Sequence, residues 1–540
     1  MPDAHAAVAD YPDVQKMSDA PLVLSFKSKK FLDLVSGGDA GEIARLKEVL
    51  ERKHPEYDAN IKYWQRLGDI GFSRLATRGD KKAYLVRGSN EGDNEFNNRA
   101  ELAQFVPEIR GLLNDFIGAV FGVPATREIK EEAKADTKTR AEAFINMAGI
   151  AEEPLEEMSK RALRVALIYN QVDAFLDHPA STETSEPYVW LLSPEDRYDW
   201  EMDEKGRYVW AKYHEKFTTQ ADWSGERATI DEYRIITKDS ITTWHVINKA
   251  GEQEKAVLAS DVKHKFHDIP IRTLYWDRAG NAWAKELVDL DVKTFRQEAD
   301  HTHDVFQVAR PTLTAALHPD PETGQKTYDS ISRGSSKVIH LDPGNEDRNP
   351  ESVAYLQADM GDIIHQAEHI EKLRETSRRL AGVGGEMEKG GGEGAGNPES
   401  GVALAYRQAQ REKNYRQAAQ ALAEWEWQLL ELVLRETGSG DLKREDVIEL
   451  RYPDSFDLRT PDELAVNLDD AKATGSDTLV KEIKKAMATR LLGSGASIEL
   501  LQEIHEEIEE FDEQEANDIE NGMITPVERE MKPPKKEPKT

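Results

Sequence analysis

The sequence predicts a mixed α+β fold, and three observations lead to this prediction. Apolar residues recur at helical spacing in the first part of the chain, most clearly over residues 105–121. The pattern changes between Tyr188 and Ile271, where short β-branched or aromatic runs alternate with turn residues. After Ile271, helical patterns return and bracket one compact insert that is rich in Pro and Gly. We therefore expect helices combined with an antiparallel sheet.

The composition of the 540 residues is that of a folded chain with a strongly acidic surface. Hydrophobic residues make up 39% and charged residues 32%, and no apolar run approaches the roughly 20 residues that a membrane-spanning helix needs. The 71 Lys and Arg against 102 Asp and Glu give a net charge of −31. Such a surface repels phosphate, so it would guide nucleic acid without gripping it. On charge alone, an acidic protein that never touches DNA is the simpler interpretation.

The absence of cysteine excludes several chemistries. Disulfide bonds, thiolate metal sites and cysteine nucleophiles all require a residue that this chain does not contain. Residues 1–30 carry early Asp residues and lack the apolar core of a secretory signal, so we expect synthesis in the cytoplasm.

The first half of the chain is predicted to combine helices with the sheet. Helical spacing runs through residues 58–123, and a second helix is predicted at 155–176, after Pro154 and before His178. The strands are predicted at 188–192, 208–217, 229–236, 241–248 and 255–258. Four tryptophans are expected to supply much of the apolar surface of the sheet, namely Trp190, Trp200, Trp210 and Trp244.

Two helices with a small insert between them follow. They are predicted at 284–306 and 355–381, and the insert at 310–350 carries strand-like runs at 312–317 and 337–341. Their apolar stripes are Val288, Val292, Phe295, Ala299 and Phe306 in the first helix, and Leu356, Met360, Ile363, Ala367 and Ile370 in the second. Stripes this narrow suit helices that pack against neighbours on limited faces. We therefore expect a stalk that carries a knob.

A glycine-rich loop and a long helix come next. Residues 382–398 hold eight glycines and no aromatic residue. The elements predicted after the loop are a helix at 399–436, a strand at 447–452 and helices at 461–518. Eleven acidic residues and no Lys or Arg lie between Glu499 and Glu520. The Pro- and Lys-rich residues 532–540 are expected to be disordered.

His365, Glu368 and His369 match H-x-x-E-H, a pattern in which two His one helical turn apart bind zinc beside a general-base Glu. Both His side chains are about 200° round the helix from Ile363 and Ala367, on the face expected to be solvated. A catalytic zinc site needs a third ligand and a cavity that restricts water. We therefore favour a polar helix face and predict no metal.

Other motifs do not predict catalysis. Gly390-x-Gly392-x-x-Ala395 is a loose form of the dinucleotide fingerprint, but it follows charged residues where that fold needs a strand. No phosphate loop, Ser/His/Asp arrangement or carboxylate pair can be proposed from spacing, so we predict no catalytic residue and no cofactor. The basic start of the long helix, with Arg407 and Arg411, is either a DNA contact or a solvated face paired near Glu412.

The order of these elements resembles that of tailed-bacteriophage portal proteins, the head-to-tail connectors. The similarity covers roughly residues 57–459, and the ordered set of its motifs is more specific than any one of them. The matching stretches are Phe121-Gly122-Val123-Pro124, residues 165–179 with their Leu-x-Asp/His-Pro ending, Ser193-Pro194-Glu195-Asp196 followed by Tyr198-Asp199-Trp200, His267-Asp268-Ile269-Pro270-Ile271, and Ser400-Gly401-Val402-Ala403-Leu404.

The resemblance implies a portal fold with a wing, a helical stem, a small β-containing clip, a long helix and a helical crown-like C-terminal region. The implied boundaries are 1–283 for the N-terminal region and wing, 284–309 for the first stem helix, 310–352 for the clip, 353–381 for the second stem helix, 382–398 for the tunnel loop, 399–459 for the long helix and wing closure, and 460–540 for the acidic crown-like region with its disordered tail.

The resemblance also implies a structural function without an active site. The chain would form a homo-oligomeric ring, typically a dodecamer, at one capsid vertex of the virion, with double-stranded DNA passing through its channel. Its clip would dock the large subunit of the terminase and later head-completion or adaptor proteins, and its wing would meet the major capsid protein and scaffold. It would be made in the host cytoplasm and would not meet a membrane.

Two sets of candidate site residues belong to this interpretation. Exposed turns at the tip of a stalk suit partner binding, which selects Asp320, Glu322 and Lys326 in the clip. The tunnel loop is expected to brush DNA without adhering to it, through Glu386, Glu388, Lys389 and Glu393.

Two other functions remain open at this point. One is a zinc-dependent hydrolase built on His365, Glu368 and His369, which metal content would reveal. The other is a scaffold or adaptor protein without a channel, which the geometry of the oligomer would reveal.

Overall fold

The computed structural model describes residues 40–453 with gaps, and a few positions after them. The gaps are 79–80, 90, 132, 151, 179–186, 221–226, 249–254, 309–311, 317–338, 342–353, 357–359, 383–400 and 437–441. The chain divides into two compact units, and each is described by itself. The first comprises Met1–Asp115, Arg127–Pro398 and Gln420–Leu450, and the second comprises Phe116–Thr126, Glu399–Ala419 and Arg451–Thr540. The elements are mixed helix and sheet, as the sequence predicts.

Short helices form the N-terminal part. They are α1 (Ala40–Glu51), α2 (Pro55–Gly71), α3 (Arg74–Arg78), a 3₁₀ turn (Lys81–Ala83), α4 (Asp93–Leu102) and α5 (Glu108–Val120). The predicted helical spacing over 58–123 is confirmed, although the helix predicted from Phe105 begins only at Glu108, just after Pro107. Phe105 instead meets Phe295 edge-on, with ring centroids 5.6 Å apart.

The predicted helix at 155–176 is wrong in its second half. Helix α6 (Ala135–Asn146) precedes α7 (Leu155–Tyr169), and strand β2 (Gln171–Asp177) follows α7 directly. Asn170 ends the helix in the left-handed conformation, at φ 75°. Its side chain donates to the Asp277 carbonyl at 2.8 Å and accepts from the Asp277 N–H at 3.0 Å. Residues 172–176 are all buried, and four of the five are apolar, so their pattern has no period that distinguishes strand from helix.

Two antiparallel sheets follow. Their strands are β3 (Tyr188–Leu192), β4 (Arg197–Met202), β5 (Tyr208–Gln220), β6 (Arg227–Thr237), β7 (Ser240–Asn248), β8 (Lys255–Lys263) and β9 (Ile271–Tyr275). One sheet has the order β3-β2-β9, and the other is a meander in the order β4-β5-β6-β7-β8. The five strands predicted between residues 188 and 258 are confirmed. Trp200 and Trp244 are buried as predicted, whereas Trp190 and Trp210 are half-buried.

The predicted helix–insert–helix arrangement is present, with one correction. Helix α8 (Lys285–Val308) and helix α9 (Met360–Leu380) bracket a sheet in the order β11-β10-β12. Its strands are β10 (Thr312–Ala316), β11 (Ile339–Leu341) and β12 (Ala354–Leu356). The second helix was predicted from residue 355, which is wrong because Tyr355 lies in β12, opposite Leu313 of β10. The cross-strand pairing overrides the helical spacing of Leu356.

The last described elements are α10 (Gly401–Arg435), α11 (Arg444–Val447) and β13 (Ile448–Arg451), and β13 pairs with β1 (Thr126–Ile129). The predicted long helix and the strand at 447–452 are therefore confirmed to within two residues. Most of 460–540, including the helices predicted at 461–518, lies outside the described residues. Among the residues that are described, no helix is long and apolar enough to cross a bilayer.

Candidate functional site

The candidate site is the antiparallel pair of helices α8 and α9, which we call the stem. Two contacts fix its direction. The Gln366 amide donates to the Asp304 carboxylate at 2.9 Å, and Arg374 forms an ion pair with Glu298. Residue numbers rise along one helix as they fall along the other, so both helices present their ends near residues 308 and 360 to the three-stranded insert.

Each stem helix buries one side. The buried residues are Leu287, Val288, Asp291, Val292, Thr294, Phe295 and Ala299 in α8, and Ile363, Ile370, Leu373, Ser377 and Ala381 in or just after α9. The predicted stripe is confirmed for Val288 to Ala299 and for Ile363 and Ile370, whereas Ala367 is exposed. On α9 the buried positions fall at steps of three, four and seven residues, and the remaining described positions are half-buried or exposed.

The uncovered surface of the stem includes large apolar side chains. Ile364 is 55% exposed, Leu380 is 49% exposed, and Val305 of α8 is also exposed. Scattered exposed apolar residues are normal on a protein surface. Here they lie on a helix pair whose buried stripe is narrow, so a further surface could pack on the stem without displacing its existing contacts.

Ion pairs attach the stem to the N-terminal helices. Arg374 of α9 reaches Glu108 at 3.4 Å as well as Glu298. Arg99 of α4 is nearly buried and pairs with Asp300 of α8 at 2.9 Å and with Glu91 at 2.8 Å. Because the Arg99 side chain is 7% exposed, removing its carboxylate partners would leave a nearly buried charge uncompensated, which is more destabilising than losing a surface pair. Charges as well as packing therefore fix the orientation of the stem against the N-terminal helices.

Asp291 is the most unusual group in the stem. Its side chain is 3% exposed, and its carboxylate accepts a hydrogen bond from the Ile109 N–H at 3.1 Å. That N–H lies in the first turn of α5, where helical N–H groups have no partner within their own helix. Burial raises the pKa of Asp291 to about 7, the Ile109 N–H opposes this rise, and the nearby Glu108 and Glu298 add to it.

The H-x-x-E-H residues lie together on the solvated face of α9. The His365 side chain is 77% exposed, and Glu368 and His369 are exposed as well. The only contact within the motif is a 3.4 Å approach of His365 Nδ1 to the Glu368 carboxylate. No group of three or more His, Asp or Glu able to hold a metal ion occurs among the residues that the structure describes. Within the described part of the chain, the arrangement therefore has neither the third ligand nor the enclosed cavity of a catalytic zinc site.

Most other predicted site residues lie outside the described residues. These are Asp320, Glu322 and Lys326 of the insert, and Glu386, Glu388, Lys389 and Glu393 of the glycine-rich loop. The side chain of Arg407 is also outside them. Arg411 is half-buried on α10, and the neighbouring Glu412 pairs with Arg416 at 3.2 Å, one turn further along.

The sequence contained a signal for Asp291 that was missed. Asp291 lies three residues after Val288 and four before Phe295, on the apolar stripe itself. A carboxylate inside a predicted buried stripe indicates a partner from another element. Arg99 and Arg374 give no comparable signal, because neither lies on a predicted apolar stripe. From the sequence alone, each is as compatible with a solvated charge as with a buried ion pair.

No protein-family model matches the chain, and no curated protein matches it. Among solved structures, a chain in the virion of a native gene transfer agent particle is 12% identical, with a TM-score of 0.33, over 73% of this chain and 92% of that one. A chain in the neck of an empty gene transfer agent particle, computed with C6 symmetry, is 11% identical, with a TM-score of 0.32, over 69% of this chain and 87% of that one. Likeness at these values carries no argument about fold or function.

Proposed function

We propose that the chain is a structural subunit of a portal ring in a tailed-phage-like particle. Copies of it would close into a homo-oligomeric ring, typically a dodecamer, at one capsid vertex, and double-stranded DNA would pass through the central channel. The proposal assigns the chain no catalytic step and no cofactor. The ATP hydrolysis that drives packaging would belong to the terminase that docks on the ring.

The observation that carries the proposal is the stem with its insert. Two antiparallel helices, 24 and 21 residues long, hold a three-stranded sheet at one end, and ion pairs attach them near the other end to the N-terminal helices. At 1.5 Å per residue these helices are about 36 and 32 Å long. Together with the sequence resemblance, this arrangement supports the order wing, stem, clip, stem, tunnel loop and long helix.

The uncovered stem surface supports a ring. Ile364 and Leu380 are about half exposed on one helix and lie about 160° apart around it, so the stems of the two neighbours in a ring would each bury one of them. A head-to-tail contact between identical subunits generates a closed ring when its rotation closes. The stems would then line the channel, and the inserts would lie together at one end, where a docking partner could reach several copies at once.

The other parts are assigned by the resemblance. The clip at 310–352, with Asp320, Glu322 and Lys326, would bind the terminase and later the head-completion proteins. The loop at 382–398 would face DNA. Arg411, which comes after this loop in the sequence, would also lie in the channel. The wing would meet the major capsid protein and scaffold.

The two alternatives make different demands on the chain. A zinc hydrolase would need an enclosed metal site, which the exposure of His365 and His369 disfavours. A scaffold or adaptor without a channel would need no ring, so the geometry of the oligomer separates it from a portal.

Native mass spectrometry and negative-stain imaging test the proposal. We expect closed rings with a central hole, and we expect Ile364→Glu with Leu380→Glu to weaken assembly at least tenfold, because each glutamate would bury an unpaired charge at the interface. Val86→Glu with Val262→Glu is the matched control, since both valines are exposed at least as much and lie outside the stem. A wild-type chain that stays monomeric or dimeric at all concentrations would contradict the proposal.

A further inference from the structure

A cavity of about 670 Å³ lies in the first unit, and no residue of the stem helices lines it. It lies between the β4–β5 turn, strand β9 with the residues on either side of it, and the last turns of α10. Its lining contains five Lys or Arg residues and two Asp or Glu residues, so the cavity is cationic in a chain of net charge −31. The five cations are Lys205, Arg207, Arg272, Arg278 and Arg435.

A rigid turn presents the first two cations. Asp203 accepts from the Lys205 and Arg207 N–H groups, both at 2.9 Å, and its second oxygen holds the Arg207 guanidinium at 2.8 Å. Gly206 closes the turn at φ 72°, in the left-handed region that favours glycine. Arg207 is therefore partly neutralised by Asp203, whereas the ammonium of Lys205 extends from an ordered turn into solvent.

A second ordered turn presents Arg278. The Asp277 side chain accepts from the Ala279 N–H at 2.9 Å, and its backbone is bonded on both sides to the Asn170 amide. Arg278 is exposed, and the structure gives its guanidinium no ion-pair partner among the described residues. The same is true of the Lys205 ammonium. These two cations are preorganised by the backbone without being neutralised.

The two arginines in the inner wall of the cavity, Arg272 and Arg435, already have hydrogen-bond or ion-pair partners within the chain. Arg272 donates to the Ile269 and Ile271 carbonyls at 3.0 and 2.8 Å and lies 3.4 Å from Asp268. Arg435 pairs with Glu431 at 2.5 Å. The cations without an anionic partner among the described residues therefore lie at the mouth of the cavity. They are Lys205 and Arg278, and the exposed His267 lies there as well.

The shape of the site favours carboxylates on a peptide over the phosphates of a duplex. Duplex DNA is bound by cations spread along a groove or stripe, because its charges are spaced along a rod. These cations instead converge on one concavity, in a chain whose overall charge repels a polyanionic rod. Arginine forks pair with carboxylates in bidentate geometry, and side-chain carboxylates can enter a cavity of this size.

We propose that this cavity binds carboxylates of the acidic stretch between Glu499 and Glu520 in a second copy of the chain. That stretch holds eleven acidic residues and no Lys or Arg, which makes it the natural complement of the cationic mouth. The proposal goes beyond the portal function, and it rests on the proposed ring only for the presence of a neighbouring copy.

Zero-length carbodiimide cross-linking of the full chain tests it, because Lys205 is the only lysine in the cavity lining. Isotope-labelled and unlabelled chains are mixed and assembled, and the cross-linked peptides are identified by mass spectrometry. We expect amide links between Lys205 and carboxylates of 499–520, in mixed-isotope pairs. His267→Glu with Arg278→Glu should reduce these links at least tenfold, because each substitution puts at the cationic mouth a carboxylate that repels the proposed ligand. Lys62→Glu with Arg110→Glu, two exposed cations elsewhere, is the matched control and should leave the links unchanged.

Three results would overturn the proposal. These are no link from Lys205 to 499–520, links only within chains of one isotope, or duplex DNA binding that His267→Glu with Arg278→Glu abolishes while the links persist. Ring formation is scored separately in the same samples. Mixed-isotope links without rings would support this contact and contradict the portal function, whereas rings without the links would do the reverse.

Discussion

Replacing Asp291 by Asn should stabilise the chain at neutral pH and change how its stability depends on pH. Asn keeps the shape and an oxygen acceptor for the Ile109 N–H, but it cannot carry the buried charge. In the folded chain the pKa of Asp291 is raised to about 7 by burial, with Glu108 and Glu298 adding to the effect. The wild-type carboxyl is therefore protonated in the fold under conditions where it is already ionised in the unfolded chain.

The sign and size of the effect follow from linkage. Because the folded pKa lies above the unfolded value, the folded state binds more protons between about pH 4 and 7, and the contribution of Asp291 to stability falls as pH rises through that window. A rise from 3.8 to about 7 corresponds to roughly 4 kcal/mol above pH 7, at about 1.4 kcal/mol per pH unit. The cost at pH 8 should exceed the cost at pH 5 by about 2.5 kcal/mol.

Urea denaturation at pH 5 and pH 8, at one fixed chain concentration, measures this directly. Asp291→Asn should be more stable than wild type at pH 8, and the advantage should shrink by about 2.5 kcal/mol at pH 5. Asp289→Asn is the matched control, because Asp289 lies on the same helix with an exposed side chain paired to Arg66, and such a pair contributes about 1 kcal/mol at most. An advantage of equal size at both pH values would refute the assigned protonation, and a loss of stability at pH 8 would refute the uncompensated burial.

The remaining predictions concern the proposed function. Elemental analysis should find far less than one zinc per chain, and His365→Ala should leave assembly unchanged; one zinc per chain that this variant loses would favour the hydrolase. Changing Asp320, Glu322 and Lys326 together to Ala should weaken terminase binding, measured by pull-down, while rings still form; loss of the rings would assign the insert to assembly. Deleting residues 386–396 should leave rings intact but lower the yield of packaged DNA, because an acidic glycine-rich loop that faces DNA would let the duplex slide inward and hinder its return. A normal yield would reduce this loop to a linker, whose length matters little.

The antiparallel meander could be predicted from the sequence because its pattern is local. Strands β5 to β8 alternate or carry β-branched and aromatic runs, and turn residues separate them at short intervals. Strand β2 could not be predicted in the same way, since it is central in its sheet and buried on both faces. A run of five buried residues directly after a helix looks like more helix. Only the left-handed Asn170, which is held by Asp277 over a hundred residues later, ends that helix.

The candidate sites also differ in how far the sequence predicts them. The stripe of the stem follows from spacing alone, which is why Val288, Val292 and Phe295 were correctly expected to be buried. The cationic cavity has no sequence signature, because Lys205, Arg278 and Arg435 come from three distant segments. Each of them alone would be interpreted as a solvated charge. Only the pairing of β2 with β9 and the approach of α10 place them around one space, as in the hydrogen bond from Trp425 to the Arg272 carbonyl.

A ring of copies that each carry a net charge of −31 forms only if its contacts outweigh the electrostatic repulsion between neighbours. The stem and the cavity would contribute two different kinds of contact. At physiological salt the repulsion acts only over a Debye length of about 8 Å, so the charges that meet at the interfaces matter most. Apolar contact through Ile364 and Leu380 is indifferent to charge, but it does not by itself select one orientation of the neighbour. A cationic mouth that receives an acidic stretch does select one, because the two surfaces belong to different parts of the chain. When it repeats in one direction from copy to copy, such a contact is head-to-tail and leads to a closed ring or a filament, whereas a reciprocal exchange between two copies would close a two-fold dimer. The same pairing would remove acidic side chains from the open surface, where they would otherwise add to the repulsion between neighbours.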